Sequence, residues 1–552
     1  MKVWVVFVGR FVRAYWPVLA ILVLALSLRL FWVLHEVPVL QGDETEYARL
    51  AENLVKRHGY LGMMEGPQVM YPPFFPGLIA AASVVVESYE VGGRLITVLG
   101  GVVLILAVFA VGTEMYGRGI GLLAAALAAC HPVLIALSGA MYSESVYLPL
   151  TVSGIYFGLR ALESRGWGSA VSCGMLFGLA YLTRPDGLFY PLVIAAALFL
   201  TYPVRRISAA RATVTALLVL TPFVALASPY VAWLSVRCGG FRLEGKSVMN
   251  YTINERRNAG MSLFEAAMSI GPDLREEGPW LSPNVFVIQA PYPVPFGALA
   301  RAWIASANRN KDEIFYHFVR APMLGSLLAI GLVTLGLFRH TWGRRRWIRE
   351  SILLTMTIGY LVILLGQHNV AFRYEMPLVP ILLLWWAKGI DEASRWATLS
   401  VRQLAGSRWA LAGTRVGVCA GLVLLLVLLA TRGEVGQFFR DESAIQLDLK
   451  DAGVWLAEYR SGPKRILGYE HSVSYYGRGI RLVFPATNDA GLARDYVRMK
   501  RPDFLFLTGN TEVPAYYHEW FEYGVPDSAA RLIYARGGRP GGRAIKIYEW
   551  TG

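Results

Sequence analysis

Runs of about 20 mostly apolar residues recur along this chain from Ala14 to Ala430, and a protein surrounded by water has no place to bury so many of them. A hydrocarbon layer of about 30 Å needs a helix of about 20 such residues, so the runs call for several helices packed together in lipid. The first run, 14–34, follows Lys2, Arg10 and Arg13 and has no small-residue cleavage site behind it, which makes it a retained anchor. With that basic start on the cytoplasmic side, residues 35–92 form a first outer loop. Further spans are expected near 93–113, 119–139, 144–160, 167–183, 187–203, 213–235, 321–338, 351–366, 376–390 and 412–431, about eleven in all.

Charge agrees with that threading. Arg205, Arg206 and Arg211, then Arg339, Arg344, Arg345, Arg346 and Arg349, then Lys388, Arg395, Arg402, Arg408 and Arg415 all fall on the inner side in one orientation. The run 74–86 is too short to cross and reads as interfacial or re-entrant. A long outer loop, 237–318, carries charges of both signs and several prolines and is expected to fold against the outer face. After the last span the pattern changes to α/β, with strands expected at 465–469 and 503–507, a helix at 490–499 and a terminal strand around Ile545, Lys546 and Ile547. The expected architecture is therefore a polytopic α-helical protein of the inner, cytoplasmic membrane, residues 1–431, followed by a soluble extracytoplasmic α/β domain, residues 432–552.

The balance of 53 Lys and Arg against 39 Asp and Glu, a net +14, would raise the question of nucleic acid in a soluble protein. Here the excess sits in short loops between apolar runs, and no basic-aromatic module accompanies it, so no nucleic-acid partner is expected. Of the four cysteines, Cys130, Cys173 and Cys419 fall in apolar spans and only Cys238 in a loop, which gives neither a disulfide framework nor a zinc site.

The first outer loop opens Gln41-Gly42-Asp43-Glu44-Thr45-Glu46-Tyr47, with two adjacent carboxylates at the membrane surface. One reading is structural: Asp43 caps a helix whose third residue is Glu46. The other is chemical. A sugar acceptor's hydroxyl is a poor nucleophile, and a carboxylate within hydrogen-bond reach helps by taking its proton as the new bond forms. The two roles can coexist. A phosphate leaving group needs no proton at neutral pH but gains from nearby cations, either arginine or a metal held by carboxylates such as Asp43 and Glu44. Three arginines map to the outer ends of spans: Arg94, Arg184 in Leu182-Thr183-Arg184-Pro185-Asp186-Gly187, and Arg373 in Phe372-Arg373-Tyr374-Glu375. Each has a plainer alternative, snorkelling to water or pairing with a neighbour, Arg184 with Asp186 or Arg373 with Glu375. Glu144 is a second candidate acid, with first-turn dipole compensation as its structural role, and His368 reads as a solvated lone histidine before it reads as a ligand.

The order Gly42-Asp43-Glu44 with Tyr47 and Ala48 following, Tyr71-Pro72-Pro73, then Gly92-Gly93-Arg94-Leu95, and later Phe372-Arg373-Tyr374-Glu375-Met376-Pro377, resembles the C-type glycosyltransferase superfamily. It is most similar to the branch of protein O-mannosyltransferases and lipid A aminoarabinose transferases, glycosyltransferase family 39. The resemblance implies a polyprenyl-phosphate-linked sugar donor drawn from the membrane lipids, an extracytoplasmic hydroxyl acceptor on a lipid, glycan or protein, and inversion at the anomeric carbon. It also implies that Asp43 is the principal catalytic acid with Glu44 beside it, that Arg373, Arg184 and Arg94 face the donor phosphate, and that Tyr47, Tyr71, Glu144, Tyr374 and His368 line the substrate site. Aminoarabinose transferases carry Glu-Lys before the paired prolines, whereas Met70-Tyr71 stands here, which argues against a metal site of that type and against that substrate pair. No cofactor is called for beyond an optional divalent metal ion. A transporter or flippase of lipid-linked sugars is the rival reading, but paired halves and midplane charges are missing from the pattern. A binding module on a passive anchor would not need about eleven spans.

Overall fold

A computed structural model of the chain describes residues 2–36, 39–163, 166–290, 294–319, 327–370, 372–405, 408–431, 443–509 and 513–552. The side chains of Lys2, Arg10, Arg13, Arg402 and Arg408, residues 321–326 of one expected span, and the expected domain junction at 432 lie outside the described residues.

Helices occupy each interval where a span is expected. Among the described residues, four helices are long and apolar enough to cross a membrane: Tyr15–His35, Tyr89–Tyr116, Ala209–Arg237 and Arg344–Leu365. Several other apolar helices are shorter, among them Phe74–Val86, Arg118–Cys130 and Leu327–Phe338. Proline explains one shortfall: Pro132 follows His131 and starts a separate helix, Pro132–Leu137, so the expected span 119–139 is two pieces. The buried Arg29 of the first helix donates to the carbonyls of Ala129 (3.3 Å) and Ala128 (3.4 Å), the orphan acceptors at the end of Arg118–Cys130. Two arginines of one basic cluster expected on the inner side are met by acids, Arg349 by Glu114 (2.7 Å) and Arg345 by Glu163 (2.5 Å).

Residues 443–552 contain a five-stranded sheet, β1 Arg465–Leu467, β2 Ile480–Leu482, β3 Phe504–Thr508, β4 Ala530–Arg536 and β5 Ile545–Trp550, in the order β2-β1-β3-β5-β4. The first three strands run parallel and the last two pair antiparallel at one edge. β3 is buried along its whole length, as expected for a central strand covered on both faces by helices such as Ser443–Tyr459 and Ala515–Tyr523. Three of these strands, β1, β3 and β5, fall where the sequence predicts them, at 465–469, 503–507 and around 545–547.

The sheet-bearing part is tied to the first loop and to the long loop by hydrogen bonds to their backbone. Ser472 Oγ donates to Leu40 O (2.8 Å), Arg481 N to Met63 O (2.8 Å) and Ala486 N to Met268 O (2.8 Å). Ion pairs of Arg465 with Glu65 (2.8 Å) and Lys500 with Glu276 (2.5 Å) add to these. These three parts and the helix ends near 184 and 364–374 meet around one cavity.

Candidate active site

The site is built from the start of helix Asp43–Val55. Gly42 precedes it with φ of +48°, a conformation that favours glycine, and this lets the helix begin immediately after Gln41. Gly42 is the residue at the cap position, and no side chain caps the helix. The capping role read for Asp43 is therefore not the one it plays, and its carboxylate is free to reach elsewhere.

The three acids of this turn have three different fates. Glu44 folds back, accepting from the backbone N–H of Gln41 (2.8 Å) and of Met141 (2.6 Å) at a position 4% exposed. Glu46 accepts from Met63 N (2.8 Å) and Gln68 Nε2 (2.5 Å). Gly62 makes room for it, because a Cβ added there would stand 1.6 Å from Glu46 Oε1. Asp43 instead accepts from Tyr71 Oη (2.7 Å) and is ion-paired with Arg373. Burial would raise its pKa, but the charges of Arg373 and Lys246 and the hydrogen bonds from Tyr71 and Arg373 outweigh that and hold it well below the usual carboxylate range.

Asp43 opens into a cavity of about 800 Å³ lined by the first loop, the long loop, the helix ends near 184 and 364–374, and the C-terminal part. The paired prolines position its wall. They end in helix Phe74–Val86, whose first free N–H, at Phe74, donates to Leu182 O (2.9 Å) and so brings Arg184 beside the first loop. Arg184 is paired with Asp186 (2.9 Å), as its sequence neighbour suggests, and also with the buried Glu144 (2.5 Å). The ring of Tyr374 lies between two guanidinium groups, 5.2 Å from that of Arg373 and 6.0 Å from that of Arg184. Tyr47 packs edge-on against Tyr71 at 5.1 Å and fixes the ring that serves Asp43.

Asp43, Tyr47, Tyr71, Arg184, His368, Arg373 and Tyr374 all line the cavity. Glu44, Glu144 and Arg94 do not; Arg94 pairs with Glu90 (2.7 Å). The pairing of Arg373 with Glu375 suggested by sequence adjacency gives way to Asp43, which is remote in sequence but near in the fold. His368, read as solvated, is 8% exposed and stands edge-on to Trp280 at 5.9 Å. Burial, with the charges of Lys246, Arg257 and Arg309, lowers its imidazole to about 4, so it is neutral near pH 7.

Sequence reasoning missed Lys246. Its ammonium lies 4.4 Å from the centre of the Tyr71 ring and within the field of Asp43. No sequence signal marks it; the fold places it through Gly245, whose backbone passes so close to the first loop that a Cβ would stand 2.1 Å from Val69 O. Thus Lys246, from the long loop, supplies positive charge beside the residues that stand where aminoarabinose transferases carry Glu-Lys. Among the described residues no group of three or more His, Cys, Asp or Glu is placed to hold a metal ion, and the Asp43 oxygens face Arg373 and Tyr71. The arrangement does not fit a metal held by Asp43 and Glu44.

Residues 70–233 match the family described as dolichyl-phosphate-mannose-protein mannosyltransferase. No curated protein sequence matches the chain. The fold is similar to that of the archaeal oligosaccharyltransferase AglB from Archaeoglobus fulgidus in complex with an inhibitory peptide and a dolichol-phosphate, with a TM-score of 0.58 at 13% identity, covering 90% of this chain and 70% of that one. It is also similar to ArnT from Cupriavidus metallidurans bound to undecaprenyl phosphate, with a TM-score of 0.54 at 14% identity over 97% of this chain and 98% of that one. The family match covers residues 70–233, which include Tyr71-Pro72-Pro73 and Gly92-Gly93-Arg94-Leu95 but neither Asp43 nor Arg373, and the likeness to the two solved structures is one of fold over nearly the whole chain.

Proposed function

We propose that this protein is a membrane glycosyltransferase that moves a sugar from a polyprenyl-phosphate donor to a hydroxyl acceptor on a lipid, glycan or protein. One observation carries the reading: a carboxylate, a phenol and three cations, Asp43, Tyr71, Arg373, Lys246 and Arg184, converge on one cavity. In this reading the chain crosses the inner membrane about eleven times, with the site and the C-terminal part on the extracytoplasmic side.

Arg373 and Lys246 hold the donor phosphate, with Arg184 at the same wall. The donor's isoprenoid chain follows the apolar lining, Leu188, Phe189, Leu192 and Ile363. The acceptor oxygen attacks the anomeric carbon from the face opposite the phosphate, its proton passes to Asp43, and the carbon–oxygen bond to the phosphate breaks with its electron pair leaving on the phosphate oxygen. Configuration inverts. The Arg373 pairing gives Asp43 a second part in the cycle, because the carboxylate occupies the cation that the donor phosphate needs. When phosphate takes that cation, Asp43 loses its strongest stabilisation as an anion and becomes a better base at the step that requires one.

The test is transfer from labelled polyprenyl-phosphate sugars to a cell-envelope extract by the purified protein and by Asp43→Asn. Loss of transfer with fold retained is expected; undiminished transfer by the folded variant removes Asp43 as the base.

A further inference from the structure

The cavity has a second cationic pole that the transfer step leaves unused. Arg481, in β2, is 6% exposed and lines the cavity together with Tyr469 and His471 of the C-terminal part and Glu46 and Gln68 of the first loop. Its Nη2 donates to Tyr469 O (2.9 Å), Nη1 meets only Met64 Sδ (3.8 Å), and Nε has no partner. Among the described residues no carboxylate stands within ion-pair distance of it, although Glu46 and Glu470 act on it through their charge. Glu46 serves Met63 and Gln68, and Glu470 pairs with Arg543 (3.4 Å). The contrast with the other pole is chemical: Arg373 has Asp43 as a direct ion-pair partner, whereas burial lowers Arg481 to about 10, more than the more distant charges of Glu46 and Glu470 restore.

A guanidinium kept from water without an anion is costly, and a ligand that brings one relieves the cost. We propose that Arg481 binds a negatively charged group, phosphate or carboxylate, on the acceptor, so that acceptors carrying such a group near their reactive hydroxyl are selected. This rests on the transfer reading only in naming the ligand as the acceptor. Position supports that assignment. The donor phosphate is served at the Arg373 and Lys246 pole, and Arg481 comes from the sheet that closes the cavity over the first loop. His471 lies within the field of both Arg481 and Asp43, and all three line the same cavity, so this pole and the base face a shared space.

The experiment titrates methyl phosphate and, in a parallel arm, acetate into the full-length protein in nanodiscs of zwitterionic lipid, with undecaprenyl phosphate saturating, and follows broadening of the ligand's own NMR signal. Wild type is expected to retain a site for one of the two anions under these conditions, and the stronger arm tells phosphate from carboxylate. Arg481→Gln is expected to weaken that binding about tenfold, the worth of one charge-assisted pair, and Arg481→Lys, which keeps the charge but not the fork, about threefold. Equal binding by wild type and both variants, or none by wild type, overturns the subsite. If Arg481→Gln does not fold, the Arg481→Lys comparison decides alone. Binding of undecaprenyl phosphate itself, and its loss in Arg373→Gln, reports separately on the donor reading, so the two can fail independently.

Discussion

Arg373 grips the carboxylate of Asp43 across 330 residues of chain, joining the turn after the first helix to the turn before one of the last. An ion pair in a substrate cavity is a blocked site as well as a contact, because the arginine already holds an anion. Asp43→Asn removes that competitor and the base together, while Asn still accepts from Tyr71. Transfer should fall by about 10² to 10⁴ in kcat, the usual worth of a positioned general base. Donor binding should be unchanged or tighter. Measured kcat and donor Kd on the same preparation check both, and weaker donor binding with kcat intact contradicts the pairing argument.

Arg184 makes a different prediction because it neutralises Glu144, which is 2% exposed, as well as Asp186. Arg184→Gln leaves a buried carboxylate without its cation, a defect that costs about 3 to 5 kcal/mol. A fall in unfolding temperature is expected, with partial recovery in Arg184→Gln combined with Glu144→Gln. A variant as stable as wild type would make Arg184 a substrate ligand alone.

What was legible in the sequence was local. A glycine followed by acids after an apolar run, arginines beside prolines at run ends, and short apolar or alternating runs after the last span each announce themselves within about ten residues, and their elements form where expected. The partners were not legible. Adjacency offered Arg373 to Glu375 and Asp43 to a helix cap, yet the fold unites Asp43, Tyr71, Lys246 and Arg373, drawn from four separated segments. Lys246 and Arg481 sit in stretches without periodicity, so nothing marked them out among 53 basic residues. The expectation that Asp43 and Glu44 act as a pair missed that one faces the cavity while the other braces the loop.

Gly245 sets Lys246. An alanine there puts its Cβ 2.1 Å from Val69 O, so one of the two backbones must move and carry the ammonium off the Tyr71 ring. Gly245→Ala should raise the donor KM by about tenfold, the loss of one charge-assisted contact, and lower the unfolding temperature as well. Lys246→Ala should reproduce the KM change without the stability change. If Lys246→Ala leaves the donor KM unaltered, the ammonium is not a phosphate ligand.

Glu44 supplies a pH signature that separates bracing from catalysis. Burial raises its carboxyl from an ordinary 4.5 to about 7, against the lowering effect of the Gln41 and Met141 amides. A carboxyl whose folded pKa lies above its unfolded one binds its proton more tightly when folded, so its stabilising effect is complete below pH 4.5 and is lost as pH rises through 7. Unfolding temperature should therefore decline across that window, and Glu44→Gln should flatten the decline. The same variant should be less stable near pH 5 by about 1 to 3 kcal/mol, because the amide turns an N–H toward one of the two backbone donors that the acid now receives. Unfolding followed by intrinsic fluorescence from pH 5 to 8 reads both effects. If Glu44→Gln shows the same slope as wild type, the titrating group is elsewhere; if it loses transfer while its stability curve is unmoved, Glu44 acts in the chemistry after all.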